Sequence, residues 1–244
     1  MSHHFYTTLA TYYDKIYGHH DSILEAGFLI KVIDNYLKSD GKKLLDLCCG
    51  TGNHGDLLQK KGFTVTGVDL NEEMLEQARK KNSEVQYIKD DMKKLSIENN
   101  FDIIVCFLNG ILYNQNLSEL KKTLAWCFDH LNKGGVLIFD AFDKVAAMID
   151  QKEDTLIYKD EETDMKYFPE WTYDTVSNRL NLKIEFDLNG KKIIDLHQMG
   201  AFSLDEIVST LEGIGFKVSL LERKFEEVLK YSGEYYDAVF VCNR

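Results

Sequence analysis

Proline is nearly absent from this chain: 244 residues contain one, Pro169. Arginine is almost as scarce, with Arg79, Arg179, Arg223 and Arg244 alone. Basic residues total 29 against 40 acidic ones, a net charge of -11. A binder of RNA, DNA or anionic lipid needs a basic surface, and bidentate phosphate recognition prefers arginine. A nucleic-acid partner is therefore not expected. No stretch is apolar for the roughly 18 residues that a membrane span needs. The opening MSHHFYTTLATYYDKIY has no apolar signal-peptide core. These absences point to a cytoplasmic protein without a membrane partner, as a monomer or homodimer. The five cysteines, Cys48, Cys49, Cys106, Cys127 and Cys242, are odd in number and form no C-x-x-C. That excludes a disulfide framework or a zinc site as the expected reading. His3, His4, His19 and His20 resemble metal ligands by residue type, but a terminus and an exposed loop account for them, and no metal is expected.

The apolar pattern is where the information lies. Residues 21 to about 38 follow helical spacing, with Ser22 or Asp21 able to cap them. KKLLDLCC is a short apolar run that ends in small residues, followed by GTGNHG. FTVTGVDL and NEEMLEQARKK repeat the strand–helix cycle, VQYIKD adds a third strand, and FDIIVCF is a fourth, apolar throughout. A strand covered on both faces should read that way. LSELKKTLAWCFDHL is a helix, NKGG a turn and VLIFDAF a fifth strand. This alternation predicts a parallel sheet with helices on both faces. The pattern changes near Asp143. MKYFPEWTYDTV, NRLNLKIEFDL and KKIIDLHQMG alternate as strands, and the SN and NG turns between them predict hairpins. The α/β pattern resumes with the helix FSLDEIVSTLEGIGF, which Ser203 can cap, and two closing strands. The expected division is an α/β core with an N-terminal helical cover over 1–144, an antiparallel β lid over 145–200, and the rest of the core over 201–244.

The glycine turn carries the chemistry. Gly50 and Gly52 lie between a strand and a helix, where glycine permits positive φ and close approach of a ligand. In open α/β sheets, ligands bind at the carboxyl ends of strands. Asp69 ends the second strand about 20 residues on, where an acid can accept both ribose hydroxyls of a nucleoside; Asp69 or Asn71 can instead cap the next helix. A dinucleotide site expects G-x-G-x-x-G with pyrophosphate on the helix N-terminus. Here the spacing is C-x-G-x-G, and Asp46 precedes Gly50 by four residues. That acid would repel a pyrophosphate and attract an ammonium. S-adenosylmethionine (SAM) has an ammonium and no phosphate.

DLCCGTG, GVDLNEEML, YIKDDMKKL, FDIIVCFLNG and LNKGGVLIFD, in this order, resemble the class I SAM-dependent methyltransferases. LATYYDKIYG and HQMGAFSLDEIVSTLEGIGF resemble a small-molecule subgroup that includes amino-sugar N,N-dimethyltransferases and glycine N-methyltransferase-like enzymes. The resemblance implies a Rossmann-like, seven-stranded, mostly parallel sheet with a small antiparallel insertion over the active site. It implies SAM as cofactor, S-adenosylhomocysteine as product and a small-molecule methyl acceptor. Cys48 replaces the first glycine of the family pattern, and Cys49 follows it. A redox role for this pair is the bolder reading, against an inert buried thiol. The implied cofactor contacts are Asp46, Cys49, Gly50 and Gly52 along the methionine part, and Asp69 on the ribose. Leu70 and Met74 flank the adenine, with Asp91 or its competitor Asp90, and Met92, at its edge. Phe107 and Asn109 stand beside the sulfonium. Core packing is the alternative for Leu70, Met74 and Phe107.

Methyl transfer requires mainly alignment of a nucleophile, so no obligatory catalytic cluster is expected. Aromatic faces attract cations, and Tyr12, Tyr13, Tyr17, Tyr113, Tyr167, Trp171 and Tyr173 gather where an acceptor should lie. Tyr13 and Tyr17 stand out because the resemblance puts their segment over the cofactor. His197 is the candidate base or acceptor contact, against a purely structural histidine. The other readings are an RNA or protein methyltransferase, a noncatalytic SAM- or nucleoside-binding module, and an NAD-dependent oxidoreductase, the last disfavoured by the turn spacing.

Overall fold

The computed structural model describes residues 4–17, 21–82, 84–146 and 156–244. His3, His19 and His20, and the first part of the expected lid (147–155), lie outside them. Short helix α1 (Tyr13–Ile16) precedes α2 (Ser22–Tyr36). Then follow β1 (Lys43–Leu47), α3 (Asn53–Gln59), β2 (Thr64–Asp69), α4 (Glu72–Lys81), β3 (Gln86–Lys89) and β4 (Phe101–Cys106). Next come α5 (Leu117–His130) and β5 (Leu131–Phe142). Four strands follow: β6 (Leu156–Lys159), β7 (Asp164–Asp174), β8 (Arg179–Leu188) and β9 (Lys191–Gly200). Helix α6 (Leu204–Ile214), β10 (Lys217–Leu221) and β11 (Asp237–Asn243) complete the described chain.

Seven strands make one sheet in the order β10-β11-β5-β4-β1-β2-β3, and β6 to β9 make a second, wholly antiparallel sheet. In the first sheet β11 runs antiparallel to both neighbours, and the pairs among β1 to β5 are parallel. Adjacent residues of the central strands point to opposite faces. Leu44 and Ile103 bury against Phe28, Leu29 and Val32 of α2. Leu45 and Ile104 face the other way, in the cluster that holds Leu120 and Leu124 of α5 and Ile207 of α6. Every residue of β4 is buried, the physical reason its sequence reads as an unbroken apolar run.

Asp21, not Ser22, caps α2: its Oδ1 accepts from Leu24 N at 2.9 Å. Ser203 and Glu206 form a reciprocal capping box at the start of α6. Asn189 and Gly190 both have positive φ (51° and 80°) between β8 and β9, the conformation of a two-residue type I′ hairpin turn. NKGG differs from its reading as a turn. β5 starts at Leu131, directly after α5, and runs through Gly134 and Gly135. Asn132 Nδ2 donates to Asp102 Oδ1 at 2.9 Å, and the Gly134 carbonyl accepts from Lys38 N and Ser39 N. Gly134 keeps a turn-like φ of 79°, and the register with β4 shifts between Phe101 and Ile103, so the stretch is an irregular start to β5 held by outside partners.

The N-terminal segment ties the two sheets together. Asp14 Oδ1 accepts from Thr51 Oγ1 at 2.6 Å and Asn53 Nδ2 at 3.1 Å, and its Oδ2 pairs with Lys81 at 2.5 Å. Lys15 pairs with Asp160 at 2.7 Å, and Phe5 N donates to Asp195 Oδ2 at 2.6 Å on the second sheet. A chain end held at both sheets fixes one wall of the cleft between them.

Candidate active site

Strand order reverses between β1 and β4, the switch point where open α/β sheets bind ligands. The backbone there is strained. Cys48 after β1, and Leu108 and Asn109 after β4, hold φ of 60°, 58° and 59°. Non-glycine residues in this region cost about 1–3 kcal/mol each and persist where surroundings over-determine them. Here Asp140 of β5, fully buried, accepts from Asn109 N at 2.9 Å and pairs with Arg223 at 2.7 Å.

One cleft opens at these strand ends. Asp46, Cys49, Gly50, Asp69, Leu70, Met74, Asp90, Asp91, Met92, Phe107 and Tyr13 all line it. Four expected residues do not. Gly52 sits behind the turn as the N-cap of α3, with φ 76°. The Asn109 side chain turns inward and leaves a buried, unpartnered Oδ1. Tyr17 stacks on Tyr13 at 4.9 Å. His197 lies one layer back, 2% exposed, with its Nδ1 3.0 Å from Tyr113 Oη. Of the remaining aromatics, Tyr113 lines the cleft, Tyr167 packs on Phe5 and Phe186, and Trp171 meets Phe142 edge-on.

Asp69 organises the turn. Its Oδ2 accepts from Gly50 N at 3.0 Å and its Oδ1 from Asn71 N at 2.9 Å. Burial raises its carboxyl above the ordinary range against these hydrogen bonds. Asp69 supplies the acid at the head of α4, for Asn71, the N-cap, makes no side-chain cap bond. Asp46 is 2% exposed, and its Oδ2 has no hydrogen-bond partner. Burial pushes its carboxyl up to about 6, and nearby His54 only partly offsets this. Asp90 and Asp91 separate by their partners. Asp90 Oδ1 accepts from Asp91 N, and its Oδ2 from Ser96 N and Ser96 Oγ. Burial acts to raise Asp90, but these bonds outweigh it and hold the carboxyl below its usual range. Asp91 commits Oδ1 to Lys93 N, while its Oδ2 has only Lys94 at 4.0 Å. Burial drives the Cys49 thiol well above its ordinary value, which makes it a poor nucleophile. All five cysteines are free.

Several lining residues gave no signal in the sequence. Tyr6, Gln115 and Gln198 come from three distant segments. His54 stood in plain view inside GNHG. Its Nε2 bonds to the buried Glu25 of α2 at 2.8 Å. Burial acts to lower its pKa, but Glu25 and Asp46 prevail and raise it.

A nucleoside ligand with a cationic amino-acid end suits this donor set. The glycine turn leaves room beside the backbone: a Cβ on Gly50 would stand 3.3 Å from Met74 Cε. Asp69 offers a carboxylate at the end of β2. The orphaned Asp46 oxygen asks for a cation, and a pyrophosphate would meet four carboxylates, Asp46, Asp69, Asp90 and Asp91. Fold and site together suit a nucleoside cofactor without phosphates.

Comparison with known proteins makes this class specific. Residues 44–135 match the family described as "Methyltransferase domain". A protein of Geobacillus sp. (strain WCH70), provisionally named a methyltransferase, is 26% identical over 232 residues, covering 91% of this chain and 93% of its own. A glycine/sarcosine N-methyltransferase of Aphanothece halophytica is 31% identical over 52% of this chain and 49% of its own. A dTDP-3-amino-3,4,6-trideoxy-alpha-D-glucopyranose N,N-dimethyltransferase of Streptomyces venezuelae is 30% identical over 41% and 43%. Among solved structures, an S-adenosylmethionine-dependent methyltransferase from Clostridium acetobutylicum shares the fold with a TM-score of 0.79, at 24% identity over 97% of both chains. Over residues 44–135 the chain thus matches the methyltransferase domain family, and over nearly its whole length it shares the fold of an S-adenosylmethionine-dependent methyltransferase. No helix among the described residues is long and apolar enough to cross a membrane.

Proposed function

We propose that the chain methylates a nitrogen or oxygen of a small molecule. The observation that carries this reading is the make-up of the acceptor end. Tyr6 and Tyr13 come from the clamped N-terminal segment, Tyr113 and Gln115 from the stretch after β4, and Gln198 from the second sheet. Walls from three parts of the fold suit a compact acceptor better than a polymer, and the charge of -11 disfavours nucleic acid. Glycine, sarcosine and amino sugars are the first acceptors to try, because the relatives named above act on such amines. Incubation with labelled SAM and a panel of these, beside RNA and peptides, tests the reading. Label transferred to a small amine or alcohol supports it. Transfer only to RNA or protein, or no turnover with any acceptor, overturns it.

SAM supplies a methyl group activated by the positive sulfur. In this reading the backbone of Cys49 and Gly50 would lie along its methionine part, and Asp46 would take its ammonium. Asp69 holds the ribose hydroxyls. Leu70 and Met74 flank the adenine, and Asp91 accepts from its amino group, since the Asp90 oxygens are spent on Ser96 and Asp91 N. Phe107 would border the sulfonium. Residues 145–200 act as a lid on a core formed by 1–144 and 201–244. We place the protein in the cytoplasm, where its free thiols stay reduced, as a monomer or homodimer, which light scattering distinguishes.

Asp69→Ala should weaken SAM binding by about 1.5–3 kcal/mol, the scale of charge-assisted hydrogen bonds, as read by calorimetry. Alanine also frees Gly50 N and Asn71 N, so the apo protein should melt earlier. Asp69→Asn retains an acceptor for the turn and should lose affinity with less loss of stability. Unchanged affinity in both variants would assign Asp69 to the turn alone.

A further inference from the structure

Behind the acceptor end runs a line of four side chains. Tyr6 Oη lies 2.7 Å from Tyr113 Oη, Tyr113 Oη 3.0 Å from His197 Nδ1, and His197 Nε2 3.1 Å from Asp195 Oδ2. Asp195 is fully buried and His197 is 2% exposed. Asp195 also accepts from Phe5 N at 2.6 Å and from Leu196 N at 3.1 Å. Burial acts to raise its carboxyl, but His197 and Phe5 N prevail and keep it below the ordinary range, so Asp195 is an ionised acceptor.

That charge sets the direction of every bond in the line. A carboxylate can only accept, so His197 Nε2 carries the proton. In a neutral imidazole Nδ1 is then an acceptor, and Tyr113 must donate to it. With its one proton committed, Tyr113 can only accept from Tyr6. The Tyr6 oxygen is left with lone pairs alone, and Tyr6 lines the cleft. The geometry points to a proton exit: Tyr6, Tyr113, His197 and Asp195 draw the proton from an N–H or O–H nucleophile and orient its lone pair for methyl transfer.

This inference rests on the methyl-transfer reading. An acceptor ammonium donates to Tyr6 Oη. As its proton moves to Tyr6, the Tyr6 proton passes to Tyr113 Oη and the Tyr113 proton to His197 Nδ1. The products are a neutral amine, two intact phenols and an imidazolium beside Asp195. No phenolate forms. That matters because burial drives both hydroxyls well above their usual pKa, so a concerted hand-over avoids a state the site disfavours. The line reverses when product leaves and water reaches Tyr6. Other ionisable groups near it are Tyr13 and Tyr17, on the same N-terminal segment, and Asp69 across the cleft. Tyr6 is the catalytic residue here. Tyr113, His197 and Asp195 act through it, and Asp195 fixes the tautomer.

The test begins with the full chain labelled with 15N-histidine. NMR should find the proton of the neutral His197 ring on Nε2, and Tyr113→Phe should shift the Nδ1 resonance. A proton on Nδ1 overturns the inference, whatever the activity. Kinetics follow with the best acceptor of the panel above. Tyr6→Phe and Tyr113→Phe should each lower kcat by about tenfold to a hundredfold, near the lower end for acid–base catalysis. KM should stay within about threefold, and the acid limb of the pH–rate profile should move. Variants with kcat within about twofold of wild type at every pH overturn it. Calorimetry with S-adenosylhomocysteine separates the two readings. Failure of the wild type to bind defeats the methyl-transfer reading, while the tautomer still judges the proton line.

Discussion

Gly52→Val is expected to destabilise the chain by about 2–5 kcal/mol, the sum of about 1–2 for an L side chain in left-handed backbone and about 1–3 for overpacking. Gly52 has φ 76° and opens α3. A Cβ there would collide with the Tyr87 hydroxyl and stand 3.0 Å from Ala78 Cβ. Tyr87 cannot retreat towards β2. It pairs with Gly67 in the sheet, and a Cβ on Gly67 would already sit 2.7 Å from the ring. Two glycines thus make room for one tyrosine whose hydroxyl is buried and unpartnered. Urea denaturation measures the loss. Gly50→Val serves as comparison, because a Cβ there meets only the flexible end of Met74, at 3.3 Å. Gly50→Val should be less destabilising in the apo state and should damage cofactor binding instead. A Gly52→Val protein as stable as wild type would mean that the turn relaxes around the new side chain.

Asp46→Asn is expected to stabilise the apo protein at neutral pH, by up to about 3 kcal/mol. The sign follows from the raised carboxyl. Its folded pKa is about 6 against an ordinary value of 3.8, and each unit corresponds to about 1.4 kcal/mol. Below about pH 4 the group is protonated in both folded and unfolded chains and costs nothing. As pH rises through about 6, the folded chain must hold a desolvated carboxylate, and stability is lost relative to asparagine. The difference between the two proteins should therefore grow from near zero at about pH 4 to its full value near pH 7.5, as read by urea titration at each pH. A gap independent of pH would show that the charge of Asp46 is not the cause. Saturating SAM should narrow or reverse the gap if its ammonium meets this carboxylate.

The central strands were legible because their environment is uniform. β4 is apolar at every position since both faces are covered, and a run such as FDIIVC has few other destinies. The turn at Gly50 and Gly52 was legible because it places left-handed backbone at the end of an apolar strand. The acids at 46 and 69 were legible by their offsets from that turn, and Asp91 or its competitor Asp90 only through the family resemblance. Their partners were not. Asp90 and Asp91 are adjacent, and nothing local indicated that Ser96 would donate both its backbone N–H and its hydroxyl to Asp90. NKGG looked like a turn because glycine pairs usually are; carbonyl and amide partners outside β5 made it strand.

Sequence by itself determined the α/β sheet and the second antiparallel sheet, because each depends on short-range periodicity. Tertiary structure alone decided the acceptor end. Tyr6, Tyr113 and Asp195 are 107 and 82 residues apart in sequence, yet they stand in one hydrogen-bonded line through His197. That line exists because the N-terminal segment is pinned to both sheets, by Asp14 at the glycine turn and by Phe5 N at Asp195. Spacing along the chain cannot encode such a meeting; only the packing of one sheet, a chain end and another sheet brings those atoms within 3 Å or so of each other.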